Sequence, residues 1–296
     1  TITLGANYTG PDNAALAEYD PGDGTWRTYT DKTITRLGSY IAFRGDWRTS
    51  AGTYNSMFRA ALQSATYTCE FSGAFTAYPS HAYAYASMFR DCSAVTGIRD
   101  NPVPVLTGAP AVRMFRDMCN GMSNVTGPLP AGFADTSGLT GAPAAEMFYW
   151  MCYGMSGVTG PLPAGFADTS GLTGALAASM YTRMCYGMSG VTGPLPAGFA
   201  DTSGLTGAPT EYTFVQMCEG MTAITSGNII IGENLTLDAA NVVALTRMMY
   251  GCGSWAGEVF WGSDLLVDQV TPATRIRTFD GCNSMPGFAD IHANWK

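Results

Sequence analysis

Between Ala144 and Met155 the apolar side chains Met147, Met151, Cys152 and Met155 recur at i, i+4, i+5 and i+8. That spacing predicts a helix with one apolar stripe turned inward. Pro143 suits its first turn and Gly154 its end. On a helical wheel Glu146, Tyr149, Trp150 and Tyr153 face solvent. Downstream, Val158-Thr159-Gly160 and Leu172-Thr173 read as short strands. Pro161 and Pro163 stand two apart, so both withhold an amide from the same neighbour. Extended or polyproline-like backbone is expected there, in place of a continuous sheet.

The pattern is copied. Val125 to Ala142, Val158 to Ala175 and Val191 to Ala208 are identical, each displaced by 33 residues from the one before. A fixed period of this length is the mark of stacked units that bury their apolar faces only against one another. The expected fold is an α+β repeat solenoid, leucine-rich-repeat-like, with short strands and one short helix per coil. Strands stack at ~4.8 Å and helices at about twice that, so the stack should curve with the helices outside. Irregular coils precede the regular ones: Tyr54 to Phe58 and Ser87 to Cys92 already carry Met-Phe. The regular coils run from about 111 to 221, and the pattern persists at Thr246–Cys252 and Thr278–Cys282. Pro286 to Asp290 echoes the consensus, as a truncated capping coil would.

Residues 1–55 differ. Tyr19 to Trp26 reads as strand, turn, strand, and Ile34 to Trp47 as a strand pair around Gly38-Ser39. This segment is expected to be a small β cap on a solenoid spanning 56–296, since an end coil otherwise exposes core. Asp20 and Asp23 suit an Asp/Gly turn more simply than calcium.

Inward positions barely change between copies, whereas outward ones scatter. Glu146, Tyr149, Trp150 and Tyr153 are preceded one coil earlier by Arg113, Arg116, Asp117 and Asn120. They are followed by Ser179, Thr182, Arg183 and Tyr186, then by Tyr212, Val215, Gln216 and Glu219. Tyr149, Trp150, Tyr153 and Tyr186, flanked by Arg116 and Arg183, form the candidate binding patch, because clustered outward aromatics mark contact with a partner or a glycan.

Hydrophobic residues make up 46% of the chain, enough for a core, while only 13% are charged. The net charge of −8 and the absence of a basic stripe argue against a nucleic-acid partner. No apolar run approaches the ~20 residues of a membrane helix. The opening Thr-Ile-Thr-Leu-Gly carries no signal-peptide pattern, which leaves a removed signal or a missing initiator Met.

Eight cysteines fall about one per coil, with no Cys-x-x-Cys. Cys119, Cys152, Cys185 and Cys218 occupy equivalent positions and should form a ladder of buried free thiols. Coils about 10 Å apart on the helical side would exceed the ~7 Å limit for a disulfide and would disfavour zinc. Asp135, Asp168 and Asp201 should also stack, and calcium is the alternative to a structural turn there. Two exposed charges ~5 Å apart repel by only about 1 kcal/mol in water, which a turn Asp accepting an N–H absorbs without metal. His81 and His292 are the only histidines, and no hydrolase, phosphate-loop or zinc-protease motif is present. No catalytic residue and no cofactor are therefore assigned. Asn7, Asn124 and Asn234 begin glycosylation sequons whose use depends on a secretory origin.

The run Met147-Phe148-Tyr149-Trp150-Met151-Cys152, with Val158-Thr159, Leu162-Pro163, Gly165-Phe166 and Asp168-Thr169-Ser170 after it, resembles the BspA-like leucine-rich-repeat surface proteins. The resemblance covers about residues 85–290, and Glu18 to Trp47 is similar to a lead-in module attached to such repeats in bacterial and phage proteins. It departs from the family in its longer period and in Met151, an extra residue between Met-Phe and Cys. The resemblance implies a right-handed solenoid for surface display, without catalysis or cofactor. The expected function is non-enzymatic recognition or adhesion on a phage virion or bacterial surface, towards a host protein or glycan. The alternative is a self-assembling structural component of a virion or extracellular fibre, a homo-oligomer whose partners are neighbouring subunits.

Overall fold

The structure, a computed structural model, describes residues 2–4, 8–21, 23–35, 37, 40–45, 47, 57, 67–71, 82–99, 106–210, 212–262 and 264–296. His81, Asn7, the Gly38-Ser39 turn and the Met-Phe run's Tyr54-Asn55-Ser56 and Phe58 lie outside them, as does the side chain of Cys69.

Each 33-residue copy lies beside the next and is joined to it by backbone hydrogen bonds. The N–H of Thr159 donates to Gly127 O and that of Thr192 to Gly160 O, both at 2.9 Å. Thr173 N–H donates to Gly141 O at 2.8 Å. Parallel bridges Gly127–Val158, Gly160–Val191 and Gly141–Leu172 mark the same seams. Pairing stays short there, with two-residue strands such as Gly174–Ala175 against Leu205–Thr206.

The helix expected over 144–155 does not form. Its odd-numbered amides turn back within the coil: Tyr149 donates to Glu146 O, Met151 to Phe148 O and Tyr153 to Trp150 O, each spanning three residues at 3.1–3.4 Å. Its even-numbered amides leave the coil. Glu146 donates to Ala178 O, Phe148 to Met180 O, Trp150 to Thr182 O and Cys152 to Met184 O, at 2.8–2.9 Å. The odd carbonyls accept in turn from the preceding coil, as Met151 O does from Cys119 at 2.7 Å. From Phe148 to Met155 each main-chain amide thereby has a carbonyl partner, as a buried backbone requires.

Its period is four residues. Glu146, Trp150 and Gly154 take φ of 56°, 56° and 76°, and the same phase recurs at Arg113, Asp117 and Gly121 and at Ser179, Arg183 and Gly187. A left-handed φ is unfavourable for an L-residue, and such strain persists only where surrounding structure fixes it. Here the ladder of bonds to both neighbouring coils does so. Two consequences correct the expectation. Coils lie one backbone hydrogen bond apart, ~4.8 Å, on this wall as on the strand walls. The basis for helix-driven curvature is absent.

Aromatic side chains register the stacking inside. Tyr85, Phe115, Phe148, Tyr181 and Phe214 form a buried column with ring centroids 5.5, 5.6, 5.8 and 5.3 Å apart in succession. Phe133, Phe166 and Phe199 form another, at 6.5 and 6.3 Å. Parallel, in-register rings at these separations fall in the favourable range for aromatic pairs. Met147, Met151, Cys152 and Met155 are fully buried beside them. Thr136 and Thr169, also buried, donate their hydroxyls at 2.8 Å to Asp168 O and Asp201 O of the following coil.

In the N-terminal part a five-stranded sheet runs in the order Arg27–Thr28, Ala17–Asp20, Tyr40–Gly45, Tyr67–Phe71, Val95–Arg99. The first two pair antiparallel around the turn in which Asp20 accepts the N–H groups of Asp23 and Gly24 at 3.1 Å. The last three pair parallel. One sheet therefore spans both sides of residue 55, and Thr126 N–H continues it by donating to Thr96 O at 2.9 Å. Ile34 and Tyr40–Gly45 are not partners of each other: Thr33–Ile34 pairs with Ile2–Thr3, and Tyr40–Gly45 with Ala17–Asp20.

At the other end, Val259–Trp261 pairs parallel with Ile229–Ile231, and Asp264–Leu265 folds back antiparallel on it. Buried Trp295 accepts Phe279 N–H at its carbonyl (2.9 Å) and lays its ring 5.6 Å from that of Phe279. Leu266–Gln269 is the only α-helix among the described residues.

Candidate functional site on the turn wall

Because the turn segment repeats every four residues, its outward positions form columns along the stack. Equivalent side chains of adjacent coils sit one rung apart. The structure brings Tyr149, Trp150, Tyr153 and Tyr186 together. Tyr149 and Trp150 stack with centroids 5.6 Å apart, Trp150 and Tyr153 at 4.8 Å, and Tyr153 and Tyr186 at 4.8 Å, all within 16° of parallel. Arg116 closes one end, its guanidinium 5.1 Å from the Tyr149 ring, and Arg183 lies 5.0 Å from the Trp150 ring. Cation–π contacts of this kind add to the offset stacking. All four rings are half-buried. The row is thus pre-assembled, with its ring faces largely taken up by one another.

Beside the row lies a depression of about 450 Å³ lined by Arg113, Arg116, Glu146, Tyr149, Ser179, Thr182 and Tyr212. Glu146 accepts from Arg113 Nε and Nη2, both at 3.0 Å, and from Arg116. The paired, two-toothed geometry is the strong form of an arginine–carboxylate contact. Arg113 beside it holds the Glu146 carboxyl below the usual carboxylate range. Arg113 also donates to the Tyr83 hydroxyl. Arg90 pairs with Asp117 at 3.2 Å and with Asp91 at 3.5 Å, and Arg116 reaches Asp117 at 3.5 Å. Further along the wall Arg183 donates to Gln216 at 2.6 Å, Gln216 to Glu219 at 2.8 Å and Arg247 to Glu219 at 2.6 Å. Arg113, Glu146 and Tyr212 read from sequence as outward positions but not as part of the candidate patch. Opposite charges one period apart at Arg113 and Glu146 were the available signal.

The thiols lie inside the opposite face of this segment. Cys119, Cys152, Cys185 and Cys218 are free, fully buried and on successive rungs, their amides bonded to the next coil at 2.7–2.8 Å. The expected 10 Å separation does not hold, since adjacent rungs are ~4.8 Å apart. Spacing of the backbone is therefore no bar to bridging. Burial pushes the Cys119, Cys185 and Cys218 thiols up, Cys119 also by its contact with Cys152. Burial likewise raises Cys282, to about 12. Such thiols behave as small apolar side chains.

The aspartates form a column on another wall. Asp135 accepts from Ser137 N–H at 3.0 Å and from its hydroxyl at 2.7 Å, and Asp168 does the same with Ser170. Asp201 accepts from Ser203 N–H at 2.8 Å. Each carboxylate is engaged in a local turn of the Asx type. His292 Nδ1 accepts Asn294 N–H at 3.1 Å. No helix among the described residues is long and apolar enough to cross a membrane. No family model, no curated protein and no solved structure matches the chain.

Proposed function

We propose that the protein is a non-enzymatic recognition module, displayed on a phage virion or bacterial surface, that meets its partner through the turn wall. The observation that carries this is the distribution of change among the copies. Val125–Ala142, Val158–Ala175 and Val191–Ala208 are identical even at exposed positions such as Thr159 and Thr192. The turn segments between them differ at the outward pairs Glu146/Ser179, Tyr149/Thr182 and Trp150/Arg183 while keeping Met and Cys inside. Change confined to one wall of a fixed frame is what a recognition surface requires, with rigid aromatics and arginines as anchors.

The experiment is binding of the labelled chain to intact bacterial cells or to isolated surface proteins. Trp150→Glu with Tyr186→Glu on the turn wall should abolish binding, while Thr159→Glu with Thr192→Glu on the constant wall should not. Equal loss from both pairs, or from neither, refutes the reading. If sedimentation instead shows assembly of the chain with itself that the turn-wall pair disrupts, the wall serves a structural fibre or virion contact, and the recognition reading is wrong.

A further inference from the structure

We propose that the depression bounded by Arg113, Glu146, Ser179 and Tyr212 binds one uncharged pyranose unit of a glycan. This rests on the recognition reading and names the ligand class for that wall. Four observations converge. First, the volume of about 450 Å³ lies within the range of small-ligand sites and takes a sugar ring with room for its linkage.

Second, the charges around it cancel. Arg90, Arg113 and Arg116 are matched by Asp91, Asp117 and Glu146 in one connected set of ion pairs. A balanced cluster offers no net attraction to an acidic or basic ligand, yet presents fixed donors and acceptors to hydroxyls. Third, those groups are held before a ligand arrives. Arg113, Glu146 and Ser179 occupy the same phase on three successive coils, each at left-handed φ, and the amides of Arg113 and Glu146 are bonded to Ala145 O and Ala178 O of the next coil. Preorganised planar groups such as the Arg113–Glu146 pair suit adjacent sugar hydroxyls at little entropic cost.

Fourth, the one exposed aromatic ring among the described residues belongs here. Tyr212 is 53% exposed, whereas the rings of the Tyr149–Trp150–Tyr153–Tyr186 row cover each other. No other ring or cation packs on Tyr212 among the described residues, and the Ser179 hydroxyl has no protein partner among them. A free aromatic face for the apolar side of the ring, with polar groups at its rim, is the arrangement amphipathic ligands need.

The test is saturation-transfer NMR on the full chain with methyl β-D-glucopyranoside, methyl β-D-galactopyranoside and methyl α-D-mannopyranoside, with galacturonic acid as the charged comparator. At least one neutral glycoside should receive saturation, equally at about 0.02 and 0.5 M NaCl. Tyr212→Ser should weaken it at least tenfold. Ser179→Arg, which places in this coil the residue that Arg113 is at the same phase, should fill the depression and abolish it. The thermal midpoint of each variant is read alongside, and loss counts only for a variant that stays folded. Transfer to galacturonic acid alone, to no sugar, or undiminished in both variants overturns the proposal. A blank sugar result with turn-wall-dependent cell binding leaves the recognition reading standing and removes only the sugar.

Discussion

Gly154 and Gly157 stand three residues apart in one coil, and the stacking distance predicts opposite consequences for adding a methyl group to each. Gly154 has φ 76°, and a Cβ there meets nothing within 4 Å. Its alanine variant suffers only the left-handed conformation, about 1 kcal/mol, which Glu146 and Trp150 already bear at the same phase. Gly157 has no such dihedral problem. A Cβ there falls 2.5 Å from Val125 O and 3.2 Å from Ser123 O of the preceding coil. Relieving the first contact needs nearly 1 Å of separation between two backbones. Overpacking of that kind costs about 1–3 kcal/mol. The adjoining Thr159–Gly127 hydrogen bond, 2.9 Å long, is then stretched for about another 1 kcal/mol. Gly157→Ala should therefore destabilise by about 2–4 kcal/mol, at least twice the effect of Gly154→Ala. Urea unfolding followed by tryptophan fluorescence reads both. A Gly157→Ala variant as stable as Gly154→Ala would refute backbone-to-backbone stacking at one hydrogen bond.

Other outcomes follow from the interior. The Thr169 hydroxyl bridges Asp201 O and the Tyr181 hydroxyl, both at 2.8 Å, so Thr169→Val should strand a buried phenol and cost about 1–3 kcal/mol in the same unfolding assay. Thr136→Val, with no tyrosine partner in Phe148's place, should cost less. Thiol-reactive dye should leave Cys119, Cys152, Cys185 and Cys218 unlabelled in the native chain and label them in denaturant. Because burial raises the Cys119, Cys185 and Cys218 thiols, the folded state keeps their protons where the unfolded chain releases them. Stability should be unaffected by them below the ordinary thiol value and should fall as pH rises past ~8.5. A stability that rises there would contradict the burial.

The identical stretches and the inward Met and Cys were legible because one apolar position per rung must repeat in any stack. The local conformation was not. Met147, Met151, Cys152 and Met155 satisfy both a 3.6-residue and a four-residue period, which drift apart by only about 80° over eight residues. Gly121, Gly154 and Gly187, each eight residues after Arg113, Glu146 and Ser179, held the distinguishing signal: a glycine on a strict multiple of four. The wrong conformation then carried into the thiol spacing and the curvature. The aromatic patch was foreseeable as neighbouring outward residues. That its faces cover each other, leaving Tyr212 free beside the Arg113–Glu146 pair, depends on side-chain directions that periodicity does not contain.

The most direct measurement is the through-hydrogen-bond scalar coupling at the Cys152 amide, detected by NMR on deuterated, 15N,13C-labelled chain. The rung arrangement predicts a correlation from Cys152 nitrogen to the carbonyl carbon of Met184, in the next coil, across a 2.8 Å bond. A correlation to the carbonyl of Phe148, four residues back, would restore the helix and contradict the stacked-rung architecture.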